Sequence, residues 1–231
     1  MENRFANIVR RQRIADWDVH VLAENGNDTG QELELFRRLL PSDYEFDVLV
    51  LVYCLNDISD LVPEWTEIHK RIYAGQQSEG YLVRHSYLVN DLYYRLKVSR
   101  DPEVVNYYGF VRGAYESEAW HRQKQRLREL VELCRARGIE LMVVTFPFLH
   151  ALGETYEYRG VHQKLGQLWQ ELGVPHLDLL SVYGEHAPGD LVIGRCDVHP
   201  NEYAHGLAAR YIVPFIEGHL RDRPRRTDRV R

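Results

Sequence analysis

The sequence predicts an α/β domain built on a mostly parallel sheet. Three observations predict it. Short, continuously apolar runs recur along the chain, amphipathic helical stretches separate them, and the helical stretches begin and end on residues suited to helix termini. The length of 231 residues suits one large domain, and 45% apolar against 27% charged residues is enough to build a sizeable core. We read residues 1–220 as that single domain and 221–231 as a basic, disordered tail.

Taken in order, the first helical stretch is Glu2–Arg13, with Phe5, Ile8 and Val9 as a short apolar face. Asp18–Leu22 reads as a strand. Residues 28–40 read as a helix that opens on Thr29-x-x-Glu32, a capping-box spacing, and stops at Pro41. Its apolar set is Leu33, Phe36 and Leu40, joined by Leu35 and Leu39. Asp47–Tyr53 is continuously apolar and rich in valine, the habit of a parallel strand covered on both faces. Residues 115–137 carry Leu127, Leu130, Val131 and Cys134 and end in Arg135, Arg137 and Gly138, a cationic last turn before a left-handed cap. Ile139–Thr145 and Val174–Leu179 read as strands around a helix at 160–172 that buries Leu165, Leu168, Trp169 and Leu172. A final helix at 201–219 carries Leu207, Ala208, Tyr211, Ile212 and Phe215, with Pro214 expected to kink it.

The stretch 57–114 breaks the alternation. It holds a helical segment at Tyr81–Leu96 and the aromatics Tyr87, Tyr93, Tyr94, Tyr107, Tyr108 and Phe110. It follows the C-terminal end of a strand, where open α/β sheets bind ligands. A lid or pocket insertion and a helical hairpin that thickens the core are both open readings. The net charge of −5 excludes a whole-protein footprint for nucleic acid, although residues 221–231 hold six Arg against two Asp. Three widely spaced cysteines, Cys54, Cys134 and Cys196, form no disulfide framework and fit a reduced, cytoplasmic setting. No apolar run is long enough to span a membrane, and no signal-peptide core follows Met1.

Three constellations carry candidate chemistry. Asp197-Val-His199-Pro-Asn201 runs into the last helix. An Asp beside a His holds the imidazole in one tautomer and stabilises its charged form, leaving the other nitrogen free to take a proton. Pro200 stiffens the backbone after the His, and Asn201 is a good N-cap. Asn56-Asp57 stands at the exit of the most apolar strand, where a side-chain amide suits a developing oxyanion. The alternative is a plain Asn-Asp turn. Gly26, within Glu24-Asn-Gly-Asn-Asp28, can bring a bare backbone N–H to a helix N-terminus, or simply close a tight turn. A metal site at Asp197, His199 and His205 lacks the Cys/His framework zinc favours, so no metal and no cofactor is expected.

Together these motifs resemble the SGNH (GDSL-type) hydrolase family across nearly the whole chain. The resemblance implies a three-layer α/β/α, flavodoxin-like fold and carboxylic ester hydrolysis through a Ser-His-Asp acyl-enzyme mechanism. Residue by residue, it makes Asp197 and His199 the acid and base and Gly26 and Asn56 the oxyanion hole. His205 matches a second histidine read as structural. The substrate class implied is a small-molecule or glycan acyl ester. The nucleophile is the departure: the family places it in Gly-Asp-Ser after the first strand, and no such motif occurs among Ser42, Ser59, Ser78, Ser86, Ser99, Ser117 and Ser181. Glu2–Arg13 resembles the crossover that follows the serine strand. The expectation is therefore a sheet lacking its first, central strand, which would lie between Asp18–Leu22 and Asp47–Tyr53, through a start codon assigned too far downstream or a truncated gene. The competing expectations are a non-catalytic remnant or binding protein, and a relative of the polysaccharide O-acetyltransferases.

Overall fold

The computed structural model describes residues 3–13, 17–24, 26–41, 45–68, 70, 80–96, 106–194 and 197–221. Its centre is a parallel sheet of three strands in the order β1-β2-β3. β1 (Val48–Cys54) pairs with β2 (Glu140–Phe146) over its full length, from Val48 beside Glu140 to Cys54 beside Phe146. β3 (His176–Asp178) adds to β2 at Val143 to Thr145. β2 has a strand on each edge, and every residue from Leu141 to Phe146 is buried. β1 has a partner on one edge only among the described residues, and most of its residues stay half-exposed. The three expected strands at 47–53, 139–145 and 174–179 thus form one sheet.

The fourth expected strand does not form. Trp17–Glu24 forms no strand among the described residues, and Val21 is 48% and Leu22 37% exposed. A strand needs a neighbour for its backbone groups as well as a favourable sequence. This segment is tied instead to the helix before it, by Trp17 N–H to Arg13 O and by Arg10 Nε to Val19 O at 2.9 Å.

Helices cover the sheet. α1 (Phe5–Gln12) packs on the C-terminal helix, buries Val9 and half-buries Phe5 and Ile8. Arg13 pairs with Glu217 across that contact. α2 (Thr29–Leu39) is capped one residue earlier than the spacing predicts: Asp28 is the N-cap, accepting from Gly30 N at 2.8 Å and Gln31 N at 3.1 Å, and Gln31 Oε1 accepts from Asp28 N. The helical segment expected at Tyr81–Leu96 divides at Ser86 into α3 (Tyr81–His85) and α4 (Tyr87–Leu96). α5 (Tyr107–Ala114) leads into α6 (Glu118–Arg137). Ser117 caps α6, which ends at Gly138 in the left-handed conformation, φ 68°. α6 packs on both α2 and β2, and α7 (Arg159–Glu171) packs on β3. Two single turns, α8 (Leu180–Tyr183) and α9 (Pro188–Leu191), precede an antiparallel hairpin of β4 (Val192–Gly194) and β5 (Asp197–Pro200). The Asp197–His199 motif thus stands on a short strand just before the Asn201 cap. α10 (Glu202–Leu220) closes the chain, capped by Asn201 Oδ1 on Ala204 N at 3.0 Å, and runs through Pro214 without ending.

Candidate active site

β5 presents Asp197 and His199 on alternate positions of one short strand, and the carboxylate reaches back to the ring. Asp197 Oδ1 accepts from His199 Nδ1 at 2.7 Å and from His199 N at 3.1 Å. A carboxylate can only accept, so this bond puts the neutral ring's proton on Nδ1 and leaves Nε2 as an acceptor. The His199 hydrogen bond holds the Asp197 carboxyl below its ordinary range, which keeps it ionised. The His199 side chain is 81% exposed and that of Asp197 48%, so the pair is open to water. Asn201 anchors the base of the hairpin: its Nδ2 donates to Asp190 O at 2.8 Å and to Val192 O at 3.2 Å.

Asn56 sits in a turn at the exit of β1. Asp57 Oδ2 accepts from Cys54 N at 2.8 Å, and Ser59 N–H closes the next turn on Asn56 O. Thr29 N–H donates to Asp57 O, which ties the start of α2 to this turn. Gly26, three residues before Thr29, has φ +81°, the left-handed region that glycine adopts freely. The Asn56 turn and the start of α2 thus form one hydrogen-bonded unit, and Asp197 and His199 form another. β5 packs against the single 3₁₀ turn Leu149–Ala151 that follows β2. Since β1 and β2 are parallel neighbours, both units lie on the C-terminal edge of the sheet.

Beneath Asn56 runs a chain of buried polar groups that the sequence did not reveal. Gln123 Nε2 donates to Thr29 Oγ1 at 2.7 Å and to Tyr53 Oη at 3.2 Å, Tyr53 Oη and Tyr115 Oη lie 2.8 Å apart, and Tyr115 Oη donates to Leu55 O at 2.9 Å. Burial raises the Asp57 carboxyl well above its ordinary value, with the Glu32 charge next in effect. Above the turn, the Tyr107 phenol lies near the side chains of Ser59 and Asn56, and burial pushes it up to about 12. In the sequence Tyr107 is one aromatic among many in the 57–114 stretch. Nothing in its spacing marks it as the neighbour of a residue fifty-one positions away.

A second Asp–His pair also escaped the sequence reading. His162 Nδ1 lies 2.8 and 3.0 Å from the two oxygens of Asp178, and Nε2 lies 3.2 Å from Tyr156 Oη, which accepts from Phe148 N at 3.1 Å. Burial raises the Asp178 carboxyl, but the His162 bond and charge outweigh it and hold the group below its ordinary value. Both ring nitrogens are occupied and His162 is 3% exposed, so this pair ties α7 to β3 and leaves no nitrogen for a substrate.

None of the described serines supplies a nucleophile beside His199. Ser59 lies near Tyr107, Ser86 accepts from Val89 N, Ser117 caps α6, and Ser181 donates to Asp178 O. Ser42, Ser78, Ser99 and Cys196 lie outside the described residues. Cys134 is buried in α6, and burial raises the Cys54 thiol well above its ordinary value, the opposite of an activated nucleophile. His205 packs on Phe5, ring centres 6.0 Å apart. Among the described residues no group of three or more His, Cys, Asp or Glu side chains is arranged to hold a metal ion. A cleft of about 440 Å³ beside Asp28, Gly30, Asp60 and Arg126 opens at the start of α2, and one of about 340 Å³ opens beside Asp178, Arg159 and Ser181. Neither is lined by Asn56 or His199.

No family model matches the chain, and no curated protein matches it.

Proposed function

We propose that this chain carries the acid, base and oxyanion donors of an SGNH-type carboxylic ester hydrolase, acting on a small-molecule or glycan acyl ester. The observation that carries the reading is the 2.7 Å bond from Asp197 Oδ1 to His199 Nδ1, with the ring open at Nε2. In this reading His199 takes a proton from a serine hydroxyl as it attacks the acyl carbon. The Gly26 N–H and the Asn56 amide meet the oxyanion, and His199 returns the proton to the leaving alcohol. Water then repeats the cycle on the acyl-serine. Acetyl transfer to a sugar hydroxyl in place of water uses the same groups.

The serine belongs to a strand added to β1. The edge of β1 away from β2 has no partner strand among the described residues. A strand added there, ending beside Asn56, would bring a serine to this edge of the sheet, and none of the described serines stands on such a strand.

The deciding experiment reads the codons upstream of Met1 in frame, expresses the longer chain, and treats both forms with a fluorophosphonate probe and a chromogenic acetyl ester. We expect labelling of an upstream serine and turnover abolished by His199→Ala. The 231-residue form should show neither. Absence of labelling and turnover in both forms would replace the reading with a non-catalytic binding protein. Labelling of a serine within 1–231 would overturn the placement of the nucleophile.

A further inference from the structure

The β4–β5 hairpin that carries Asp197 and His199 stands apart from the three-stranded sheet, so among the described residues no ladder with β1, β2 or β3 sets its place. The bond inside the Asp197–His199 pair fixes the ring on its own strand but not the strand on the sheet edge. Two chains of bonded groups reach the hairpin, and both start from the Asp178 carboxylate at the end of β3.

The first chain runs through His162. Asp178 accepts from His162 Nδ1 at 2.8 Å. A carboxylate can only accept, so the proton of the neutral ring sits on Nδ1, and Nε2 accepts from Tyr156 Oη at 3.2 Å. The Tyr156 oxygen in turn accepts from Phe148 N at 3.1 Å, a bond that spans eight residues and closes the loop between β2 and α7. The 3₁₀ turn Leu149–Ala151 follows Phe148 at once, and Ala151 N–H donates to Phe148 O. Leu149 and Leu152 are buried, which seats this turn in the core, and β5 packs on it.

The second chain runs through α8. Asp178 Oδ1 also accepts from Leu180 N at 2.9 Å, which holds the start of α8. Tyr183, fully buried at the end of α8, donates from Oη to Ala204 O at 2.8 Å in the first turn of α10. β5 leads into that turn through Asn201. One chain thus meets the hairpin at the turn it packs on, the other where it joins α10. His162 is 3% exposed with both ring nitrogens engaged, so it acts on the site only through these neighbours. A catalytic group displaced by about 1 Å can lose on the order of 10²-fold in rate, which is what such bracing prevents.

We infer that Asp178 and His162 are positioning residues, which hold the Asp197–His199 hairpin at the C-terminal edge of the sheet through Tyr156 and through Tyr183. That the hairpin carries a general base rests on the hydrolase reading; the two chains of bonds do not. A pair that only fastened α7 to β3 would leave the hairpin indifferent to changes at Tyr156 and Tyr183.

The test is ¹⁵N spectroscopy of the 231-residue chain, reading the backbone amides of Val198, His199 and Asn201. Tyr156→Phe cuts the first chain and Tyr183→Phe the second, each by the removal of one hydroxyl. Leu127→Ala is the control, since Leu127 is buried in α6 and belongs to neither chain. In both tyrosine variants we expect the three amides to shift. The His199 and Asn201 amides, bonded to Asp197 Oδ1 and Leu191 O, should exchange with deuterium about tenfold faster. His199 should keep its proton on Nδ1, because that bond is local. In Leu127→Ala the three amides should keep their positions and rates while the urea midpoint falls. Unmoved hairpin amides in either tyrosine variant overturn the inference. Equal changes in Leu127→Ala also overturn it, because they would follow from lost stability alone. The readout needs no turnover: a chain that the fluorophosphonate experiment shows to be inactive loses the hydrolase reading and keeps these expectations unchanged.

Discussion

One oxygen of Asp197 accepts twice from His199, from the ring Nδ1 at 2.7 Å and from the backbone N at 3.1 Å. The backbone bond fixes the carboxylate relative to the strand, and the ring bond then fixes the imidazole relative to the carboxylate. Orientation and tautomer are set by two residues with no help from elsewhere in the fold. Asp197→Asn replaces a pure acceptor with a group that can also donate, so the ring no longer has a reason to keep its proton on Nδ1. We expect the ¹⁵N spectrum of His199 to change from the Nδ1–H form to a mixture of both tautomers. In the serine-bearing form, turnover should fall by roughly 10³–10⁴-fold. An unchanged tautomer in Asp197→Asn would show that the Asp197 carboxylate does not set the proton on Nδ1.

Tyr53 and Tyr115 should behave as one unit. Each hydroxyl is buried, and the 2.8 Å bond between them continues to Leu55 O on one side and Gln123 on the other. Tyr115→Phe removes the donor to Leu55 O and leaves the Tyr53 O–H without its acceptor, although its oxygen still accepts from Gln123, a loss of about 1–3 kcal/mol because buried polar groups lose a partner. Tyr53→Phe should cost a similar amount. The double variant should cost less than the sum, since it leaves no stranded hydroxyl between the rings. Urea denaturation of the four proteins gives the cycle, and strictly additive losses would mean that the two hydroxyls act separately.

The two dyads show what a sequence can and cannot disclose. Asp197 and His199 are two residues apart, so their bond is local and the motif was legible. His162 and Asp178 are sixteen apart and Tyr107 and Asn56 fifty-one apart, and only the packing of α7 on β3 and of α5 over the β1 exit brings them together. Helices were legible where spacing and caps agreed, as in α6, where Leu127, Leu130, Val131 and Cys134 are all buried between Ser117 and Gly138. At α2 two capping frames competed. Asp28/Gln31 prevails over Thr29/Glu32 because the Thr29 hydroxyl accepts from buried Gln123 and its side chain is turned into the core. Tyr211 matched the apolar stripe of α10 yet is 47% exposed. Asp18–Leu22 has a strand's composition, but a ladder needs a neighbour, and composition carries no information about one.

Gly26 carries a backbone cost that a side chain would expose. At φ +81° an L-residue is strained, although a Cβ there would meet nothing within 4 Å. Gly26→Ala should therefore destabilise the protein by about 1 kcal/mol through backbone conformation alone, and Gly26→Asn by less, because asparagine tolerates this region better. Thermal unfolding of the two variants distinguishes conformational strain from steric clash. Equal losses for Ala and Asn would argue against the left-handed turn. The Asp197–His199 bond belongs to the other unit of the site, so the His199 ¹⁵N spectrum should not change.

Glu32 gives the fold a dependence on pH near neutrality. Burial, with the Asp28 charge next, raises its carboxyl to about 7, and its Oε2 is buried without a hydrogen-bond partner. An acid whose folded value lies above its unfolded value favours the native state while it stays protonated. Its contribution is complete below the unfolded value of about 4.3 and is lost as pH rises through about 7. Asp57 is raised in the same direction and interacts with Glu32, whereas Asp178 is lowered and its contribution is lost only at pH below its ordinary carboxylate range. Stability should thus fall by roughly 1–3 kcal/mol between about pH 4.5 and pH 7.5. Glu32→Gln keeps the shape, cannot ionise, and removes the Glu32 charge from Asp57. Its urea midpoint should stay flatter across that window and exceed that of the wild type at about pH 8. A variant whose midpoint falls as steeply as the wild type would show that Glu32 is not the group responsible.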